Sequence, residues 1–417
     1  MTSIINNSNA NSALVNTLNA SDSKMNPNIY TTKKIFPPAA TCYVRTDLAS
    51  GTIKEGNSVV FNLLKYGIAQ QILLCYTKVG DANMELSEGD FFNVIDRVEL
   101  LSSSKVIAQL TKYDLLAQFS NLDASQYNMV GEYVIKARGA GASQKFVIPL
   151  VFGFMKDVNT NLNLQFNEPM SIRVKFGSQF EKSKSGSGAP TANNAIQDVY
   201  LRMRYKAYNE SDFAEIVAEN YNQPELNTMS TGFYDESAGT LTIKQTPSAA
   251  VTATRTIQVP LKNTDCVNDF YVMVRNVDKD GVKSNLATNA TQAPVELTNL
   301  KFTASGQEII NLTGEELGYT RLAMNGYSVQ PLLDSAGSDW VTNVYKIQTG
   351  LWEYSGGGTQ SNTLSLRELN NPIIEAEFTA ESATDKDLNY EIVVVEDCVK
   401  IFSTTSSNGR VQIALSN

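Results

Sequence analysis

One stretch of the chain occurs twice, and no other feature constrains the fold as strongly. Val98–Leu115 reads VELLSSSKVIAQLTKYDL, and at an offset of 202 residues Leu300–Leu317 reads LKFTASGQEIINLTGEEL, aligned without a gap. Ser103/Ser305, Ile107/Ile309, Leu110/Leu312, Thr111/Thr313 and Leu115/Leu317 are identical. Val98/Leu300, Leu100/Phe302, Gln109/Asn311 and Asp114/Glu316 keep their chemical type. A repeat of so long a period implies one structural unit built twice. A second block supports this: Leu162–Phe176 is mirrored at Leu364–Phe378 with the same offset, matching Leu162/Leu364, Leu164/Leu366, Ile172/Ile374 and Phe176/Phe378. Val59, Phe61 and Leu63 recur as Ile257, Val259 and Leu261 at an offset of 198, so a few residues were gained or lost between blocks.

Within each copy the apolar residues follow the period of strands. Successive side chains on a strand point to opposite faces, so Val59, Phe61 and Leu63, or Val98 and Leu100 between Arg97 and Glu99, mark one buried face. Gln71–Tyr76 (QILLCY) and Phe270–Val274 (FYVMV) are denser apolar strands. The turn at Ser102–Ser104, matched by Ala304–Gly306, uses small residues that tolerate tight backbone geometry. Thr111-x-x-Asp114 and Thr313-x-x-Glu316 have the capping-box form that opens a helix. Leu115, Leu116 and Phe119 supply the apolar face of that helix in one copy, Leu317 and Met324 in the other. Pro149 interrupts the most apolar run, Lys145–Phe154; it cannot donate to a ladder, which predicts a strand near an edge or bulge. Asp198–Tyr208 reads as a final strand with one basic face, Arg202, Arg204 and Lys206, of solvated or interface character.

At 417 residues the chain is too long for one ordinary core. The repeat divides it into a first unit over 39–208, a linking helix and linker over 209–231, and a second unit over 232–417. Residues 1–38 are rich in Asn and Ser and too poor in large apolar side chains to offset their ordering entropy. They are expected to form a flexible N-terminal arm that stays disordered or orders against a neighbouring subunit or an internal surface.

The chemistry-bearing residues argue for structure rather than catalysis. With no histidine anywhere, Ser-His-Asp and Cys-His nucleophiles and histidine-ligated metals are excluded. The Gly/Ser-rich loop Glu181–Asn194 lacks the phosphate-binding GxxxxGK[ST]. Asp81, Glu85, Glu88 and Asp90 offer oxygens for Ca²⁺, yet without EF-hand spacing they read as a solvated acidic loop. Trp340, Trp352, Tyr345 and Tyr354 could form a sugar-binding platform, against which stands their use in a core or interface. Glu375 and Glu377 share one strand face and would not flank a glycosidic bond. No catalytic, cofactor-binding or metal-ligating residue is therefore assigned, no cofactor is implied, and no enzyme is expected. A net charge of −9 argues against coating nucleic acid. Cys42, Cys75, Cys266 and Cys398 form no CxxC pair and are expected as reduced thiols within strands. No secretory leader is read at the start, and no uncharged apolar run approaches the ~18 residues of a membrane span, so a soluble, cytosol-made protein is expected.

Taken together, eight or so short strands with a helix after the third or fourth, present twice, resemble the double jelly-roll major capsid proteins of tailless icosahedral double-stranded DNA viruses. That group includes adenovirus hexon, tectivirus-like phages and the large nucleocytoplasmic DNA viruses. Four segments carry the likeness: Ile95–Phe119, Phe146–Phe154 with Leu162–Phe176, Tyr205–Ile216, and Val344–Phe378. The resemblance implies an all-β fold of two tandem eight-stranded jelly rolls, standing perpendicular to a shell, with three chains per pseudo-hexagonal capsomer. It further implies as partners the chain itself as a homotrimer, neighbouring capsomers, penton and minor capsid proteins, and an internal viral membrane beneath the shell. It implies no sequence-specific nucleic acid, location in the virion, and assembly in the host cytoplasm. Ser355–Gly358 lacks the histidine and proline that often precede this loop in the large eukaryotic viruses, and insertions are short, which points to a small, phage-like member. The alternative is a carbohydrate- or receptor-binding viral spike.

Overall fold

The computed structural model describes residues 39–65, 67–79, 85–86, 91–120, 133–134, 142–152, 162–163, 169–177, 184–185, 196–208, 228–246, 251–262, 267–277, 294–317, 343–348, 364–382, 387–407 and 410–416. The expected N-terminal arm, Met324, both tryptophans and Tyr354 lie outside them.

The first unit contains β1 (Ala39–Asp47), β2 (Ser50–Gly51), β3 (Ser58–Asn62), β4 (Ile68–Lys78), β5 (Glu85–Leu86), α1 (Phe91–Val94), β6 (Ile95–Ser102), β7 (Lys105–Thr111), α2 (Lys112–Ser120), β8 (Gln144–Pro149), β9 (Leu162–Asn163), β10 (Met170–Phe176), β11 (Lys184–Ser185) and β12 (Ile196–Tyr208). Its principal sheets run β1-β12-β4-β8 and β3-β10-β6-β7, with every pairing antiparallel. The second unit contains β13 (Thr228–Ile243), β14 (Thr252–Pro260), β15 (Val267–Val277), β16 (Leu297–Ala304), β17 (Gln307–Thr313), β18 (Tyr345–Gln348), β19 (Ile373–Glu381), β20 (Leu388–Ser407) and β21 (Arg410–Ser416). Its sheets run β13-β20-β15-β18, with β21 added on β20, and β14-β19-β16-β17. Numbering β1, β3, β4, β6, β7, β8, β10 and β12 in the first unit, and β13 to β20 in the second, from 1 to 8, both have the order 1-8-3-6 over 2-7-4-5, the jelly-roll winding. β13 already begins at Thr228, within the segment 209–231 expected to link the units.

The duplication extends to backbone torsions. Ser103 and Ser305 both adopt φ 54°, a left-handed conformation in which a small residue is least strained, so the two turns match as well as their sequences. Ile172, Ile374 and Phe378 are 0% exposed and Phe176 is 1% exposed, which places the matched block on the two buried sheet faces. Leu162 pairs with β4 and its repeat Leu364 bridges to Val267 at the corresponding place on β15. Pro149 closes β8, which among the described residues is bonded on one side alone, where a missing N–H costs no ladder bond. Cys75 and Cys398 are buried within strands and Cys42 is half-buried, all three as free thiols.

One cross-strand pair has exchanged its charges between copies. In the first roll, buried Glu99 on β6 lies opposite Arg173 on β10 and accepts hydrogen bonds from Arg173 and, at 2.8 Å, from Arg97. One repeat later Lys301 on β16 lies opposite Glu375 on β19. Opposite charges directly across a ladder stabilise the pair whichever strand carries which sign.

Candidate functional site at the seam between the rolls

The two capping boxes form as the sequence predicts. The Thr111 N–H donates to Asp114 Oδ2 at 2.7 Å, and the Asp114 N–H donates back to Thr111 Oγ1 at 3.2 Å. In the second roll the Thr313 N–H donates to Glu316 Oε2 at 2.8 Å and the Glu316 N–H returns to Thr313 Oγ1 at 3.4 Å. Their surroundings differ entirely. Asp114 is 2% exposed, whereas Glu316 stands at the surface. Ile107 is 1% exposed, while its identical counterpart Ile309 is 50% exposed.

The cause is that the first roll's edge is covered by the second roll. Strand β7 touches β13, and α2 touches β20. Tyr234 on β13, Tyr271 and Met273 on β15, and Val393 and Val395 on β20 join the same apolar cluster as the first roll's core. Alternation separates them from Phe270, Val272, Ile392 and Val394, which fill the second roll's own core. Thus α2 packs into the first roll's core through Leu115, Leu116 and Phe119 while its first turn meets the second roll.

A polar cluster is embedded in this apolar seam. The Thr111 hydroxyl donates to Glu236 on β13, and the Tyr113 hydroxyl donates to Glu391 Oε2 on β20 at 2.7 Å. Arg275 on β15, 3% exposed, places its guanidinium 4.0 Å from the centre of the Phe92 ring and 5.9 Å from that of Tyr113. Burial, then the charge of Glu236, holds the Asp114 carboxyl well above the ordinary carboxylate range; burial also raises Glu236. Burial, then the Arg275 charge, pushes the Lys112 ammonium down to about 8. Two acids whose affinity for protons is raised by burial thus lie together, bridged by one threonine. The residues are hydrogen-bonded to one another and shielded by apolar neighbours, an arrangement that fastens two bodies together.

The other residues singled out in the sequence do not converge here. Tyr345 is 8% exposed, belongs to the second roll's core and accepts a hydrogen bond from the Leu297 N–H at 3.1 Å, so it offers no sugar-binding face. Glu375 and Glu377 lie on the outer side of β19, alternating with buried Ile374, Ala376 and Phe378. Of the acidic loop, Glu85 alone is among the described residues, and no cluster of His, Cys, Asp and Glu suited to a metal occurs among those residues. The seam itself was missed in sequence; Arg275, a charge inside the apolar run FYVMVRNV, was the one signal for it.

Two antiparallel jelly rolls of one winding, joined in tandem through a packed seam, define the double jelly-roll fold. Among solved structures, the chain is similar to the capsid of PBCV-1 virus, at 14% identity and a TM-score of 0.61 over 93% of this chain and 99% of that one. It is also similar to the Faustovirus major capsid protein, at 10% identity and a TM-score of 0.57 over 90% and 92% of the two chains. The mavirus major capsid protein follows at 13% identity and a TM-score of 0.52, over 94% and 93%. At such identities the likeness is one of fold, and it extends along nearly the whole chain. No family model and no curated protein matches the sequence.

Proposed function

We propose that the chain is a major capsid protein, building the icosahedral shell of a tailless DNA virus from trimers in which six rolls form a pseudo-hexagonal ring. The observation that carries this is the one-sided seam. Each chain covers the β7 edge of its first roll with the outer face of its second roll, and leaves the corresponding β17 edge and the outer face of β1-β12-β4-β8 exposed. Two different exposed surfaces that match the two halves of an existing contact make a head-to-tail interface, and such interfaces close into rings when the rotation allows. Six rolls of one winding come from three chains. The tandem fold shared with capsid proteins of PBCV-1 virus, Faustovirus and mavirus supports the same reading.

This role asks no chemistry of any residue; the protein is not an enzyme and uses no cofactor. Its partners are further copies of itself and neighbouring capsomers, with penton and minor capsid proteins at the vertices and an internal membrane beneath. Assembly proceeds in the cytoplasm of the host, a bacterium. Residues 1–38 serve as an arm between subunits. Light scattering on the purified protein should give the mass of a trimer, and micrographs of assembled product should show hexagonal capsomers. A chain that stays monomeric at micromolar concentration overturns the proposal.

A further inference from the structure

The two halves of the internal seam have exposed counterparts on the same chain, with one charge reversed. Strand registers give the correspondence. Glu236 lies opposite Val395, which lies opposite Tyr271. In the first roll Arg45 lies opposite Arg202, which lies opposite Leu73, one repeat before Tyr271. Arg45 is therefore the counterpart of Glu236, as Tyr43 is of Tyr234. Within the chain, Glu236 receives the Thr111–Asp114 cap as a second acid beside the first. The counterpart of that cap is Thr313–Glu316, exposed on the second roll.

We infer that Arg45, on the outer sheet of the first roll, receives the Thr313–Glu316 cap of a second copy of this chain, so that the buried acid pair of the internal seam becomes an ion pair between chains. This rests on the ring of rolls proposed above and adds to it the residues and the sign of the contact. Complementary charge supports the choice of occupant. Arg45, Arg202, Arg204, Lys206 and Lys145 lie on the same outer face by register, with Asp47 and Asp198 as its acids. On the opposing edge, Glu308, Glu315 and Glu316 are exposed. Arg45 is held in place without being covered. It bonds Asp47 at 2.6 Å and Asp198 at 3.2 Å, lies 4.0 Å from the centre of the Tyr200 ring, and keeps 47% of its side chain exposed. Tyr43 beside it is 62% exposed where Tyr234 is 8% exposed, and Ile309 on the edge is 50% exposed where Ile107 is 1% exposed. These are the differences expected of one surface pair closed within the chain and its twin closed between chains. The chain has made such an exchange of sign already, from Glu99 opposite Arg173 to Lys301 opposite Glu375.

The test is a charge swap in the full-length protein. Arg45→Glu and Glu316→Arg, each alone, should weaken trimer formation by about tenfold or more in analytical ultracentrifugation, as like charges then meet. The double variant should recover most of that loss. Circular dichroism and melting confirm that each variant is folded, which the exposure of both positions favours. Independently, Arg45→Cys combined with Glu316→Cys should give covalent trimers under oxidation on a non-reducing gel, absent from either single variant. Trimers of undiminished strength in both reversal variants, with no cross-link in the double-cysteine variant, overturn this contact while leaving the capsomer intact. A wild-type chain that never associates overturns both.

Discussion

Asp114 is pulled in two directions. The Thr111 N–H bond favours its carboxylate, while burial and the facing Glu236 favour the protonated acid, and the second pair prevails. Below the unfolded carboxyl value of about 4 the group is protonated in both states and the seam carries no penalty. As pH rises beyond that, the folded chain keeps a proton that the unfolded chain has released, so this contribution to stability is lost toward the raised folded value. Asp114→Asn preserves an acceptor for Thr111 and presents an N–H to Glu236. It should flatten the decline and raise stability at pH 8 by about 1–2 kcal/mol, read from urea midpoints at pH 5 and pH 8. Arg275 makes the opposite case. Its guanidinium is buried between aromatic rings with Glu391 nearby, so Arg275→Ala should cost roughly 3 kcal/mol, and Arg275→Lys, which keeps the charge but not the planar stack, should fall between. An Arg275→Ala protein as stable as wild type in urea would remove the cluster from the seam's support.

At the scale of elements, β7 and β17 are the same strand in two environments, and a matched pair of substitutions separates them. Ile107→Ala should destabilise the folded chain by about 2–5 kcal/mol, since it opens a cavity in a closed core. Ile309→Ala should change unfolding of the isolated chain by no more than about 0.5 kcal/mol, yet weaken its association. Equal losses in the two urea titrations would contradict the exposed edge. The same pair shows what sequence could and could not convey. Period-2 runs, the Ser-rich turn and the Thr-x-x-acid caps act over a few residues, so both copies announced them, and the long-range alignment then gave two rolls. The seam depends on bonds such as Thr111 to Glu236 and Tyr113 to Glu391, which span 125 and 278 residues. Lys112, Tyr113 and Asp114 look like an ordinary solvated helix face, and nothing local distinguishes them from Gly314, Glu315 and Glu316. The basic face of β12 is visible as a pattern; its correspondence to the seam face of the second roll required the strand registers.

For the whole molecule, the apolar internal seam and the charge-matched contact proposed between chains should respond differently to salt. Raising ionic strength toward 1 M shortens the screening length to about 3 Å. Trimers should loosen by sedimentation while the chain's urea midpoint barely moves; trimers indifferent to salt would argue against charge as the guide. Removing residues 1–32 should leave trimers intact and impair shell closure in electron micrographs, whereas loss of folding would show that this segment belongs to the rolls. The internal seam also bears on how fast rings can be made. Because two rolls share one backbone, half the contacts of a closed ring form at the effective concentration of a tethered pair, in the millimolar range for short linkers. Diffusion has only the other half to find. A shell of the proposed kind should nucleate at lower protein concentration than one grown from single rolls, because three parts need two encounters where six need five.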